Sequence, residues 1–305
     1  MGSLSTANVE FCLDVFKELN TNSVGENIFF SPLNLLYALS MILLGARGNS
    51  ADQVQKVLHY DHIVQSFKQE FKDPRQCSQS GRIHSELGAL LSQINQPDSN
   101  YTLSIATRLY GTKTVPFQEG KNVIVEMMYQ TGTFKLAFIK EPKMQVLELP
   151  YVNKQLSMII LLPVGTTNLE QVEKQLTVRT FHQWTSSSNM IEREVEVHLP
   201  RFKLEIKYEL NSLLKSLGMT DVFNQNKADL SGMSAAKGLY LSKVIHKSYL
   251  DVSEEGTEAA AGAGESIAVK RLPIRDQFLA NHPFLFFIRH SHTNAILFCG
   301  KLASP

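Results

Sequence analysis

The dominant hydrophobic period of this chain changes near Tyr101, and that change limits what it can fold into. Before it, apolar residues recur every three to four positions. After it, they recur mostly every second position. Helix-period and strand-period segments gathered in separate halves predict an α+β protein, with a helical N-terminal cluster packed on antiparallel sheets. The chain has 305 residues, 43% of them hydrophobic, enough to bury a sizeable core in one large domain or two small ones.

In the first half, Val9, Cys12, Phe16 and Leu19 predict an amphipathic helix over residues 6–20. Ser31-Pro32 supplies an N-cap and a proline at the first helical position. The following Leu35, Leu36, Leu39, Ile42 and Leu43 run to Gly45 and are apolar around most of the circumference, so this helix is expected to lie centrally buried. Ser50 with Gln53 reads as a capping box opening a short helix to about Leu58. Residues 59–80 are polar, contain Asp73-Pro74 and read as a loop. Ile83, Leu87, Leu90, Leu91 and Ile94 mark a further helix ended by Gln96-Pro97.

In the second half, Leu103, Ile105, Thr107 and Leu109 alternate as a half-buried strand does, and strand-like runs follow at 123–128, 133–139, 145–151 and 155–162. The unbroken apolar run from Leu156 to Leu162 predicts a strand covered on both faces. Leu169, Val172 and Leu176 return briefly to helical spacing. Val195, Val197 and Leu199 alternate again, followed by Phe202, Leu204 and Ile206. Leu210 to Leu217 reads as a helix stopped by Gly218, and apolar strands at 284–288 and 295–299 close the chain.

Thirty basic against 29 acidic residues give a net charge of +1, which argues against a phosphate-tracking nucleic-acid binder. No stretch of eighteen apolar residues predicts a membrane span, and Met1 to Thr6 has no signal-peptide pattern. Cys12, Cys77 and Cys299 are odd in number and widely spaced, so they read as buried or free thiols in a reducing compartment. No nucleophile elbow, zinc-protease helix, Walker loop or dinucleotide fingerprint is present, and the chain is not expected to be an enzyme or to need a cofactor. His290 and His292 read as exposed turn histidines. Glu192, Glu194 and Glu196 read as a solvated strand edge, not as a catalytic carboxylate pair. Asn100-Tyr-Thr102 matches a glycosylation sequon, but beside an apolar strand it is read as chance.

The segment Glu254 to Glu265 is different: Glu-Glu-Gly-Thr-Glu-Ala-Ala-Ala-Gly-Ala-Gly-Glu contains no bulky side chain. Small residues can stand as an exposed loop or enter a sheet without demanding a pocket. Composition alone allows a flexible linker. The extended stretch Ser266 to Pro273 that follows carries Lys270-Arg271, a cleavage site for trypsin-type proteases when exposed.

Glu255-Gly256-Thr257-Glu258-Ala259-Ala260-Ala261 resembles the reactive-loop hinge of the serpins. Asn27 to Pro32, Leu44 to Gly48, Leu149-Pro150-Tyr151, Ile159 to Pro163, Leu199 to Phe202, Asn281 to Phe286 and Ile296 to Lys301 resemble serpin blocks in family order. The polar 59–80 loop and the ending at Ser304-Pro305 are similar to the ovalbumin-type, clade B branch. This resemblance implies a serpin-like fold and a serine protease inhibitor. A protease cleaves the loop and is still acyl-bound when the loop inserts as a new strand in the main sheet, driven by stored strain. Thr257 and the alanines behind it enter first. Family counting from Gly256 puts the scissile residue at Lys270, with Arg271 the alternative; either directs the loop to a trypsin-like serine protease. Gly262 and Gly264 depart from an alanine run and cost about 0.5–1 kcal/mol each when ordered in a strand. The branch implies a cytoplasmic protein, with unconventional release as its extracellular route.

Residues 1–305 thus read as one serpin domain, with a reactive-centre loop over about 254–276 and an internal deletion near 113–119. There Ser104 to Lys113 runs through Val115-Pro116-Phe117 into Glu119 to Val123, where serpins have on the order of eighty more residues. That stretch would hold intervening helices and part of the main sheet, including the strand beside which the loop inserts. The family's tryptophan next to that strand is missing too: the only Trp is Trp184, in a helix-like segment. Two outcomes follow for such a chain: an inhibitor of trypsin-like proteases, or a protease substrate and non-inhibitory binding protein that self-associates through unpaired sheet edges.

Overall fold

Val9, Cys12, Phe16 and Leu19 are all buried, on one face of helix α1 (Gly2–Asn22). The computed structural model describes residues 2–61, 63, 79–94, 112–117, 123–151, 154–234, 238–252 and 275–305. These fall into two compact units: residues 1–102, 205–249 and 287–300 form the first, and 103–204, 250–286 and 301–305 the second.

In the first unit, α1 is followed by the buried strand β1 (Ile28–Phe30) and helix α2 (Pro32–Gly45). Ser31 caps α2 as expected, its Oγ accepting from Asn34 N at 3.2 Å, one of the orphan donors every helix start must satisfy. The expectation of a centrally buried α2 is corrected on one side. Leu33, Leu35, Leu36, Leu39 and Leu43 are buried, yet Tyr37, Met41 and Leu44 remain 41%, 51% and 40% exposed.

Helix α3 (Gly48–Val57) starts two residues before the expected cap, so Ser50 and Gln53 form no capping box. Ser50 Oγ instead accepts from Asp229 N at 3.1 Å, and Gln53 Oε1 from Thr220 N and Asp221 N at 2.9 and 2.8 Å. Helix α4 (Gln79–Ile94) buries Ile83, Leu87, Leu90 and Ile94. The rest of the expected 59–80 loop, residues 62 and 64–78, lies outside the described residues, as do Cys77, Asn100 and the 103–109 strand. Asn8, wholly buried on α1, accepts from Ile296 N at 2.6 Å and donates to Ile296 O at 3.3 Å, so one side chain satisfies both backbone groups of a single residue.

The second unit is built on strands β3 (Val123–Lys140), β4 (Lys143–Pro150), β5 (Leu156–Pro163), β6 (Ile191–Pro200) and β9 (Asp276–Leu279), hydrogen-bonded in the order β5-β4-β3-β6-β9. The two runs expected at 123–128 and 133–139 are one eighteen-residue strand, held through Gly132 by an unbroken antiparallel ladder to β6 from Met127↔Pro200 to Leu136↔Ile191. Its other edge carries β4 from Lys135↔Glu148 onward and β2 (Thr112–Phe117) from Thr112↔Met128 to Phe117↔Val123. The expected junction region is therefore a strand in part, and among the described residues the strand that holds Pro116 pairs only with β3, so a missing N–H is tolerated on its other edge. Every residue of β5 is buried, as its unbroken apolar run required.

Of the acids of β6, Glu192 and Glu194 precede the ladder to β9, pair with β3 alone and are exposed, as a solvated edge requires, while Glu196 lies between β3 and β9. Helices α5 (Leu169–Gln175) and α6 (Val178–Trp184) follow β5, each opened by a formed capping box, Asn168–Gln171 and Thr177–Thr180. Phe202, Phe284 and Phe286 pack edge-on with ring centroids 5.6–6.3 Å apart.

Strands β7 (Phe202–Glu209) and β8 (Ile245–Val252) pair as a two-stranded sheet, and helix α7 (Asn211–Ser216) between them ends at Gly218, whose φ of +117° only glycine takes without strain. Strands β10 (Phe284–His290) and β11 (Ile296–Leu302) close the chain. His290 is corrected: it ends β10 buried, with Nδ1 2.9 Å from Thr293 Oγ1 and its pKa lowered by that burial, while His292 alone is exposed.

Candidate functional site

Glu255, Gly256, Thr257, Glu258, Ala259, Ala260, Ala261, Lys270 and Arg271, the residues nominated for hinge and scissile bond, all lie outside the described residues. The structure does describe the two strands that frame them, β8 on the N-terminal side and β9 on the C-terminal side.

Strand β9 is anchored. It runs parallel to β6 from Val195↔Asp276 to His198↔Leu279, and Ala280 N donates to His198 O at 2.9 Å. Gln145 Nε2 donates to Gln277 O at 2.9 Å, Arg193 Nη1 lies 3.4 Å from Asp276 Oδ2, and Phe278 is completely buried. Burying one such ring stabilises by about 1.5–3 kcal/mol, more than the half-exposed ion pair beside it.

Strand β8 alternates strictly, Ile245, Lys247, Tyr249 and Asp251 outward and His246, Ser248, Leu250 and Val252 inward. Inward polar residues must find partners. His246 Nε2 accepts from Ser31 N at 2.9 Å, and Ser248 Oγ donates to Phe29 O at 2.7 Å. Around them Ser31 Oγ donates to Leu297 O at 2.7 Å and Phe29 N donates to Tyr208 OH at 3.2 Å. Burial holds the His246 imidazole below its ordinary pKa, and burial raises the Tyr208 phenol to about 12. The strand entering the candidate loop is thus fixed by neutral side chains pinning backbone groups. Sequence reading found Ser31 only as a cap and missed the rest. The available signal was polar residues at two of the four inward positions of an alternating run.

On the outward side Lys247 pairs with Glu205 at 2.6 Å and Lys243 with Glu209 at 2.8 Å. Among the described residues β8 has a strand neighbour, β7, on one edge only. Also among the described residues, no cluster of three His, Cys, Asp or Glu could hold a metal ion, and no helix is long and apolar enough to cross a membrane. Cys12 and Cys299 are buried free thiols, Cys299 pushed well up in pKa by burial with Cys12 beside it.

The frame of the loop, the α+β layout and the order of sequence blocks define one class. The serpin family model, described as serine protease inhibitor, matches residues 6–120 and 117–305, and the chain belongs to the serpin family. It is 62% identical to Serpin B11 of Homo sapiens over 392 aligned positions, with 100% of each chain covered. It is 39% identical to the leukocyte elastase inhibitor of Equus caballus over 396 positions, again with 100% of each covered. Uncleaved ovalbumin superposes with a TM-score of 0.79 at 32% identity, covering 100% of both chains. These relatives are of the ovalbumin type, clade B.

Proposed function

We propose that the chain offers the 254–276 loop as bait to trypsin-like serine proteases and is cut after Lys270 or Arg271 without trapping the enzyme. Either basic side chain suits a specificity pocket carrying an acid. The observation that carries this reading is the edge of β8. A loop entering a sheet as a new strand needs a strand on each side to satisfy its N–H and C=O groups, and among the described residues β8 has only β7. The internal deletion near 113–119 supports the same reading. The two family matches meet at residues 117–120, and 392 aligned positions against 305 residues leave at least 87 positions (392 minus 305) facing no residue of this chain.

The small-residue hinge from Glu255 to Ala261 favours a second reading, a working trap whose loop finds another partner strand. Incubation with trypsin separates the two. The expected result is a cut after Lys270 or Arg271, read by intact mass, with full trypsin activity recovered and no SDS-resistant complex. A stoichiometric covalent complex would establish the trap instead. An uncut loop would remove the trypsin-directed role altogether. The edge of β8 that has no strand neighbour among the described residues also favours self-association, and size-exclusion chromatography showing only monomer would refute that part.

A further inference from the structure

A groove in the second unit, remote in sequence from the loop, has a composition the bait reading does not use. It runs between the β3–β4 turn and helices α5 and α6 in two adjoining lobes of about 410 and 390 Å³. Lys140, Glu141 and Gln175 line both. Each lobe is within the range of ligand sites.

The first lobe is amphipathic. Phe138, 50% exposed, lines it with Gln183 and Asn189, and Trp184, 3% exposed, contributes only the edge of a buried indole. The Arg193 guanidinium sits 5.3 Å from the Phe138 ring centroid and holds that ring in place. The second lobe is cationic, with Lys140, Lys143 and Lys174 on its walls. Lys174 is paired with Glu170 at 2.8 Å, but among the described residues Lys140 and Lys143 have no acidic partner. The Lys143 ammonium lies over the turn at Gly165, where an added Cβ would meet it at 3.5 Å.

From this arrangement we infer that the groove binds a short acidic peptide segment of a partner protein, its carboxylates on Lys140 and Lys143 and an adjacent apolar side chain against Phe138. Two free ammonium groups on flexible stems take carboxylates as point charges. Glu141 on the shared wall and Glu170 beside Lys174 lower the positive field that a densely sulfated chain needs. The half-exposed Phe138 ring asks for an apolar side chain, which a sulfated sugar lacks. Charge complementarity with an apolar anchor therefore selects an acidic peptide.

Trp184 is the only tryptophan, so its emission reports occupancy of the first lobe. The probe is an acetylated peptide in which glutamates flank a Leu-Phe pair, titrated at low salt and again near 0.15 M ionic strength. The expected result is a saturable emission change that weakens with salt, is lost when glutamines replace the glutamates, and weakens about tenfold in a Lys140→Glu, Lys143→Glu chain. The variant is compared by thermal melting with the unaltered chain; if its melt falls, Lys143→Gln alone provides the charge arm, with a smaller loss expected. Equal binding of the glutamine peptide, undiminished binding by the charge variants, or tighter binding of a sulfated oligosaccharide of similar length would each overturn the proposal. This test does not involve the loop, so its outcome is independent of the trypsin experiment.

Discussion

Replacing His246 by leucine tests how β8 is held. His246 is 8% exposed, and its Nε2 is the acceptor for the Ser31 N–H at 2.9 Å. Leucine fills most of the same space but leaves that N–H buried without a partner, at a cost of about 1–3 kcal/mol. Some of this is offset by the extra apolar area buried, so a net loss of about 1–2 kcal/mol is expected. For a chain of this size that is a fall in Tm of about 2–4 °C.

The same histidine carries a pH signature. Burial lowers its folded pKa, so the unfolded state takes up the proton first as pH falls through about 6.5. Its contribution is therefore present above pH 6.5 and lost as pH falls below that value toward the folded pKa. Protonation also turns the acceptor into a donor facing a donor. Thermal melts at pH 7.5 and pH 5.5, followed by far-UV circular dichroism, should show a loss on acidification that is smaller in His246→Leu. If the variant melts with the wild type at pH 7.5, or loses as much on acidification, the hydrogen bond does not hold the strand.

His59 should behave oppositely: it lies 2.7 Å from Asp14 and 3.5 Å from Glu10, and the Asp14 hydrogen bond raises its pKa. Its contribution is present below pH 6.5 and lost as pH rises through the folded value, so His59→Gln should lower Tm more at pH 5.5 than at pH 8. Gly45→Ala should lose about 1–2 kcal/mol in urea unfolding, since its Cβ would run into Met233 Cγ, and Met233→Ala should restore most of it. Lys301 and Glu173 form a nearly buried pair, 8% and 10% exposed at 3.2 Å. Lys301→Met alone should cost about 3 kcal/mol by taking the ammonium away from a nearly buried carboxylate, and pairing it with Glu173→Gln should recover part; equal losses in the two would refute the coupling.

What the sequence made legible follows from how far each signal reaches. Helix α1 and strand β5 were readable because a face or an unbroken run of buried residues repeats locally. Strand β3 was split in reading because Gln130, Thr131 and Gly132 interrupt the pattern, yet its continuity comes from the β6 ladder, some 65 residues away. Ser50 and Gln53 have a capping spacing, but their side chains meet backbone at 229 and 220–221 instead, partners no local rule names. The same holds at β8, where no local rule names Ser31 as the partner of His246. The loop itself was readable only through composition and family likeness, because small residues and an exposed basic pair leave no packing pattern to read.

The bond from Asn8 to Ile296 spans 288 positions and closes only when the final strand is made. At roughly 5–20 residues per second of synthesis, the first helix waits roughly 15–60 s on the ribosome before its clamp arrives. Throughout that interval the nascent chain carries Phe29 without Phe298, the ring it stacks on at 5.3 Å in the finished fold, and so presents apolar surface of the kind that aggregates before folding is complete.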